Sequence, residues 1–252
     1  MALRPRSSRD LLLVMARKLG PVLSEVAFVG GCATGLLVTD PAAAEPRVTY
    51  DVDVIVEVAS YAEYARLSKR LRALAFSEDS SEGAPLCRWV SEGMKLDVMP
   101  TNEKILGFSN RWYAAALQHA RELRIDDLQL RVVTAPYFMG TKLEAFRGRG
   151  GGDFYASRDL EDIVAVIDGR ESLFDEVKRA PLTLRAYIAG EIQKLLVTPE
   201  FIEALPGHLP GDDASQARLP ALLRTLESLS ALRSQVRKRS RASTRTEDKR
   251  RP

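Results

Sequence analysis

Val26-Ala27-Phe28-Val29-Gly30-Gly31, continuing as Cys32-Ala33-Thr34-Gly35-Leu36-Leu37-Val38, and the acidic run Tyr50-Asp51-Val52-Asp53-Val54-Ile55-Val56-Glu57-Val58 decide how this chain folds. The first begins as a short apolar run, stops on two glycines and resumes with helix-compatible residues. It reads as a strand, a tight turn and a helix start. The second is dominated by β-branched residues and has the length of a strand. A Pro/Ala loop from Asp40 to Pro46 separates them. Strand side chains alternate faces, so Asp51 and Asp53 project from the same one. An apolar run follows at once, where unpaired charge is expensive, so the two carboxylates are expected at a sheet edge facing a cleft.

Working outward, Ser60 and Glu63 form a capping-box pattern, and Tyr64, Leu67, Leu71 and Leu74 recur at helical spacing through Phe76. Leu86 to Val90 and Met94 to Met99 flank Ser91-Glu92-Gly93 and read as a hairpin ended by Pro100, which places the Asp97 strand beside the Asp51 strand. An Ala-rich helix is expected over Trp112 to Leu123, and a strand over Leu128 to Val133. Thr134 caps a helix that carries Pro136 in its first turn and Lys142 further on, ending near Phe146. A Gly/Arg loop then spans Arg147 to Asp153, a helix covers Asp159 to Ile167 with Gly169 as its cap, and the pattern from Leu173 onward is helical, broken at Pro181, Pro199 and Pro206 to Asp213. The expected organisation is an α/β (α+β) core over 1–133, a mainly helical region over 134–236 that completes the site, and a basic tail over 237–252.

With 252 residues, 45% apolar and 28% charged, the composition suits a soluble, cytoplasmic globular protein. Cys32 and Cys87 are too few for a disulfide framework or a zinc site. Arg4, Arg6 and Arg9 precede Leu11 to Ala16, but Arg17 and Lys18 end that apolar run, which therefore reads as a short amphipathic helix. No stretch approaches the ~20 apolar residues of a membrane span. The net charge of +3 is unevenly spread: the segment from Arg233 to Pro252 holds nine Lys/Arg and two Asp/Glu. Such a tail is expected to be disordered beyond Lys238 and is suited either to RNA phosphates or to solubility.

Two carboxylates held side by side repel unless a cation lies between them, and magnesium, a hard ion bound by one or two carboxylates with phosphates and waters, suits Asp51 and Asp53. A strand turning through Gly30-Gly31 into a helix aims backbone N–H groups at an anion, for which phosphate is the natural occupant. His119 and His208 have no neighbours that suggest catalysis. Trp89 and Trp112 are expected in the core, and Arg147 and Arg149 suit RNA phosphate or a soluble loop equally.

In order along the chain, Gly30-Gly31, then Arg47-Val48-Thr49-Tyr50-Asp51-Val52-Asp53, Leu96-Asp97, Lys142 and Asp159-Leu160-Glu161-Asp162-Ile163 resemble the polymerase-β-type nucleotidyltransferase superfamily, and within it the AbiEii-like and MenT-like toxins of toxin–antitoxin systems. The resemblance spans roughly residues 25 to 170. It implies a mixed sheet flanked by helices, with Asp51, Asp53 and Asp97 as metal ligands for a two-ion Mg2+ site. It also implies phosphate contacts from Gly30, Gly31 and Lys142, with Asp159, or Asp162 three residues on, as a final acidic position. The implied reaction is nucleotide transfer from a nucleoside triphosphate to RNA, above all the tRNA 3′ end, by a toxin with a cognate antitoxin. Nucleotidylation of a small molecule or a protein, and an inactive scaffold that only binds, are the alternatives. Many superfamily members carry serine where this chain has Gly31, leaving backbone donors alone at that point.

Overall fold

In the computed structural model, which describes residues 7–149 and 152–232, the strand–turn–helix and the acidic strand fall at the centre of a seven-stranded mixed sheet. Helix α1 (Ser8–Leu19) begins where the Ser7 side chain accepts from the Asp10 N–H at 3.0 Å, and ends at Gly20. Its Leu12, Met15 and Leu19 are fully buried, each contributing about 1.5–3 kcal/mol, far more than any difference in helix propensity. Strand β1 (Val26–Val29) leads through Gly30 into α2 (Gly31–Leu37), and β2 (Asp51–Val56) follows. Helix α3 (Tyr61–Ala73) is capped by Ser60, while Glu63 reaches back to the Ala59 N–H rather than to that of Ser60.

The sheet continues with β3 (Ser77–Glu78), β4 (Arg88–Ser91) and β5 (Met94–Pro100), and after the short helices α4 (Glu103–Leu106) and α5 (Tyr113–Gln118) with β6 (Arg121–Ile125) and β7 (Leu128–Val132). Their order is β3-β4-β5-β2-β1-β7-β6. β2 runs parallel to β5 and antiparallel to β1, and β1 runs parallel to β7. The turn between β4 and β5 is shorter than the expected three residues: Ser91 pairs with Met94, and only Glu92 (φ 52°) and Gly93 (φ 78°) connect the strands. The helix expected to reach Leu123 stops at Gln118, because Arg121 to Ile125 pair with Leu128 to Val132 across an Asp126-Asp127 turn. β6 is an edge strand exposed along most of its length, so it carries no apolar alternation to announce it.

Helix α6 (Ala135–Arg149) runs past Phe146, so Arg147 is helical and pairs with Glu144 at 2.9 Å instead of opening a loop. Then come α7 (Arg158–Gly169), α8 (Leu173–Arg179), α9 (Leu182–Leu196), α10 (Pro199–Ala204), α11 (Asp213–Gln216) and a helix over 219–232. The proline breaks fall where the sequence places them. The fold class is thus the expected α/β one, a mixed sheet flanked by helices and followed by a mainly helical region.

The faces of the sheet bury different sets of side chains. Phe28, Val52, Val54, Leu96, Val98 and Trp89 pack with α1 and α3, whereas Val29, Ile55, Cys87 and Met99 pack with α5 to α10 and the last helix in a cluster that also takes in Trp112. That second cluster runs without interruption across residue 133. Arg218 fastens the helical region to the loop before β2, donating to both Asp168 oxygens at 2.8 and 2.9 Å and to Asp40 at 2.7 Å. The basic tail lies outside the described residues. Among those described, no helix is long and apolar enough to cross a membrane.

Candidate active site

Strand register builds one wall of the site. Val29 pairs with Asp53, Asp53 with Asp97, and Asp97 with Arg88, so one row crosses β1, β2, β5 and β4 on a single face of the sheet. Asp51 stands on that same face, two residues before Asp53. The expected sheet edge is the N-terminal end of an interior strand, β2, rather than an edge strand, and a cleft of about 320 Å³ meets the aspartates there. Gly30, Gly31, Asp51, Asp53, Asp97, Lys142 and Asp159 all line it.

Glycine is required at the floor. Gly30 has φ +73°, and a Cβ there would lie 1.9 Å from the Asp53 carboxylate, so only a bare Cα leaves that carboxylate its place. A Cβ on Gly31 would come within 2.7 Å of the Thr49 methyl and 2.8 Å of an Arg47 guanidinium nitrogen. A serine there would have to displace the Thr49 methyl and the tip of Arg47, whose Nε and Nη2 are held by Asp162 while its side chain lines the cleft. Ser8 of α1 holds the segment: its hydroxyl accepts from the Thr49 N–H at 2.9 Å and donates to the Arg47 carbonyl at 3.4 Å. Helix α2 has seven residues, so its dipole is modest, and any anion at the turn depends more on Arg47 and Lys142.

The facing wall comes from α6 and α7. The Lys142 ammonium is 3.0 Å from Asp159 and 2.5 Å from Asp162. Burial alone would depress its pKa, but Asp162, Asp159 and Asp53 outweigh burial and hold it above the ordinary lysine value. Arg47 donates to both oxygens of Asp162 at 3.1 Å. Asp159 and Asp162 differ in position: Asp159 lines the cleft, whereas Asp162, 1% exposed, lies beneath it between two cations.

Arg88 has no counterpart in the sequence motifs. Its Nε donates to Asp97 Oδ1 at 2.8 Å, and its Nη2 donates to Asp97 Oδ2 at 2.7 Å and to Asp51 Oδ2 at 3.1 Å. The two carboxylates raise its pKa. The signal was available: once the Glu92-Gly93 turn is taken as two residues, counting back from Ser91 and Met94 sets Arg88 opposite Asp97. Arg47 lies in the Arg47–Asp53 segment, whose spacing alone assigns it no role.

The donor set bears on which cation fits. Among the described residues, no three carboxylate, histidine or cysteine groups converge to cage an ion unaided. Asp51, 40% exposed at its side chain, and Asp53 above the Gly30 hollow do suit an ion whose remaining ligands are phosphate oxygens and water, the usual magnesium arrangement. The thiols beside the site are inert. Burial, with help from Asp97 and Asp53, pushes Cys87 up to about 12, and burial with Asp53 pushes Cys32 higher still. His119 stacks on Tyr137 and His208 contacts the Phe154 carbonyl, neither of them lining this cleft.

No family model matches the chain, and no curated protein matches it. Among solved structures it is similar to an antigenic nucleotidyltransferase-like protein from Paracoccidioides brasiliensis, 23% identical, covering 81% of this chain and 94% of that one with a TM-score of 0.46. A likeness that loose assigns no activity, and the site is read from its own residues.

Proposed function

We propose that the chain is a metal-dependent nucleotidyltransferase of the polymerase-β type that joins a nucleotide to an acceptor hydroxyl on RNA, in the first place the tRNA 3′ end. One observation carries the reading: Asp53 and Asp97 are register partners on adjacent parallel strands, with Gly30 under Asp53 and Lys142 on the facing wall of the same cleft. Magnesium held by Asp51 and Asp53 would supply the charge that offsets the triphosphate and orients its α-phosphorus. Arg47, Lys142 and the Gly30-Gly31 backbone would hold the phosphates. The acceptor oxygen attacks the α-phosphorus, the bond to the bridging oxygen of the β-phosphate breaks, and pyrophosphate leaves. Asp97, the register partner of Asp53, would take the hydroxyl proton on a lone pair that the Arg88 fork leaves over.

RNA as the acceptor is supported by a second cleft, about 450 Å³, that adjoins the first and shares Arg47, Asp51, Arg88 and Arg158 with it, adding Lys95 and the exposed ring of Tyr50. Cations with an exposed aromatic ring suit a phosphate backbone and a stacked base. Action as a toxin restrained by an antitoxin rests on the sequence resemblance. The test is incubation with each labelled nucleoside triphosphate and magnesium, in parallel with total tRNA, with an aminoglycoside and with a mixture of soluble proteins. Label entering tRNA with wild type but not with Asp53→Ala supports the reading. Label entering only an aminoglycoside or a protein moves the acceptor, and binding of nucleotide with no transfer to any acceptor leaves a scaffold.

A further inference from the structure

We infer that Arg88, rather than a second divalent cation, is the positive charge that holds Asp97, so that the site takes a single metal ion through Asp51 and Asp53. The inference rests on the nucleotidyltransferase reading and departs from the two-ion arrangement that the resemblance implies. Both Asp97 oxygens accept from the Arg88 fork, at 2.8 and 2.7 Å, which is the bidentate geometry a guanidinium makes best. The pair is shielded, with side-chain exposures of 15% and 10%, so bulk solvent screens it little. A guanidinium does not lose its proton in proteins. Nor does it approach by chance, since strand pairing fixes it opposite Asp97.

The consequences differ for the three aspartates. Asp97 has both oxygens engaged by a permanent cation, and a divalent ion there would have to break that fork and leave the shielded guanidinium with Asp51 alone. Asp51 shares one oxygen with Arg88 at 3.1 Å and is the most exposed of the paired acids in the cleft, so it remains open to a metal. Asp53 faces the Gly30 hollow. Arg88 thus offsets the negative charge of Asp97 without metal. The absence of a three-carboxylate cage among the described residues agrees with this division.

Manganese(II) bound per chain is counted by equilibrium dialysis in the presence of saturating α,β-methylene analogues of the four nucleoside triphosphates. About one protein-retained ion for wild type and about two for Arg88→Ala are expected, against the two of the general two-metal scheme. Arg88→Lys, which keeps the charge, should stay at about one. Two ions on wild type overturn the inference whether or not any variant folds. So does a count of one that Arg88→Ala, folded by its melting curve, fails to change. Nucleotide retained with no ion at all overturns the inference and the metal-dependent reading together, whereas two ions with active transfer overturn the inference alone.

Discussion

The two walls of the cleft carry similar residues and spend their charge differently. The sheet wall gathers Asp51, Asp53 and Asp97, with Arg88 paired to Asp51 and Asp97, while the helical wall sets Asp159 and Asp162 around Lys142, and Arg47 reaches across to Glu161 and Asp162. The helical wall is deep, its Asp162 being 1% exposed, and a buried acid between two cations is a structural joint. The sheet wall crowds three acids, Asp51 among them 40% exposed at its side chain, which is the condition for recruiting a further cation. A cluster of like charge in a cleft serves binding, and a paired one serves the fold.

That contrast fails first if Asp53→Ala and Asp162→Ala behave alike. Asp53→Ala should cut nucleotide transfer by about a thousandfold, the loss of several kcal/mol of metal-assisted stabilisation, and leave the melting temperature unchanged or higher as like-charge repulsion is relieved. Labelled-nucleotide transfer and a thermal melt on the same sample measure both. Asp162→Ala removes the acid shared by Lys142 and Arg47, leaving them only Asp159 and Glu161, and should cost about 3–5 kcal/mol of stability, seen as a melting temperature lower by about 10 °C. An Asp162→Ala protein as stable as wild type would end the structural reading of that wall.

Gly31→Ser, which brings the chain nearer the common superfamily pattern, should weaken it by about 1–3 kcal/mol through overpacking against Thr49 and Arg47, and should raise the nucleotide concentration needed for half-maximal rate. Smaller still is a pH effect on the helical wall. The Lys142 pKa is raised on folding, so its stabilising contribution is complete below the unfolded value and is lost only as pH climbs through the folded one. The stability gap between wild type and Lys142→Gln, from urea melts, should therefore stay constant from about pH 6 to about pH 9. Least of all, Cys87, with its pKa at about 12, and Cys32 should resist iodoacetamide in the native protein at about pH 8, as read by intact mass, and react once unfolded.

Local patterns announced most of the sheet. Val26 to Val29, Asp51 to Val56 and Met94 to Pro100 are apolar runs bounded by glycine, loop or proline, and each is a strand. β6 escaped because its neighbour β7 and the Asp126-Asp127 turn, not its own residues, make it a strand. The end of α6 escaped because Gly148 and two arginines resemble a loop, whereas the Glu144–Arg147 pair and the packing of Leu143 and Phe146 carry the helix onward.

Within the site, spacing alone put Asp51 and Asp53 on one face, the hairpin reading set the Asp97 strand beside them, and the family resemblance implied that Lys142 and Asp159 accompany them; the cleft is lined by all of these. The sequence determined which residue types were present and which faces they occupied, since strand and helix periods are local properties. Only the tertiary structure decided that Arg88 lies between Asp97 and Asp51, that Arg47 occupies the room a serine would need beside Gly31, and that Asp162 lies beneath the floor while Asp159 faces the cleft. Those outcomes depend on register between strands and on helices meeting across more than a hundred residues of chain, where a shift of one residue turns a side chain to the opposite face.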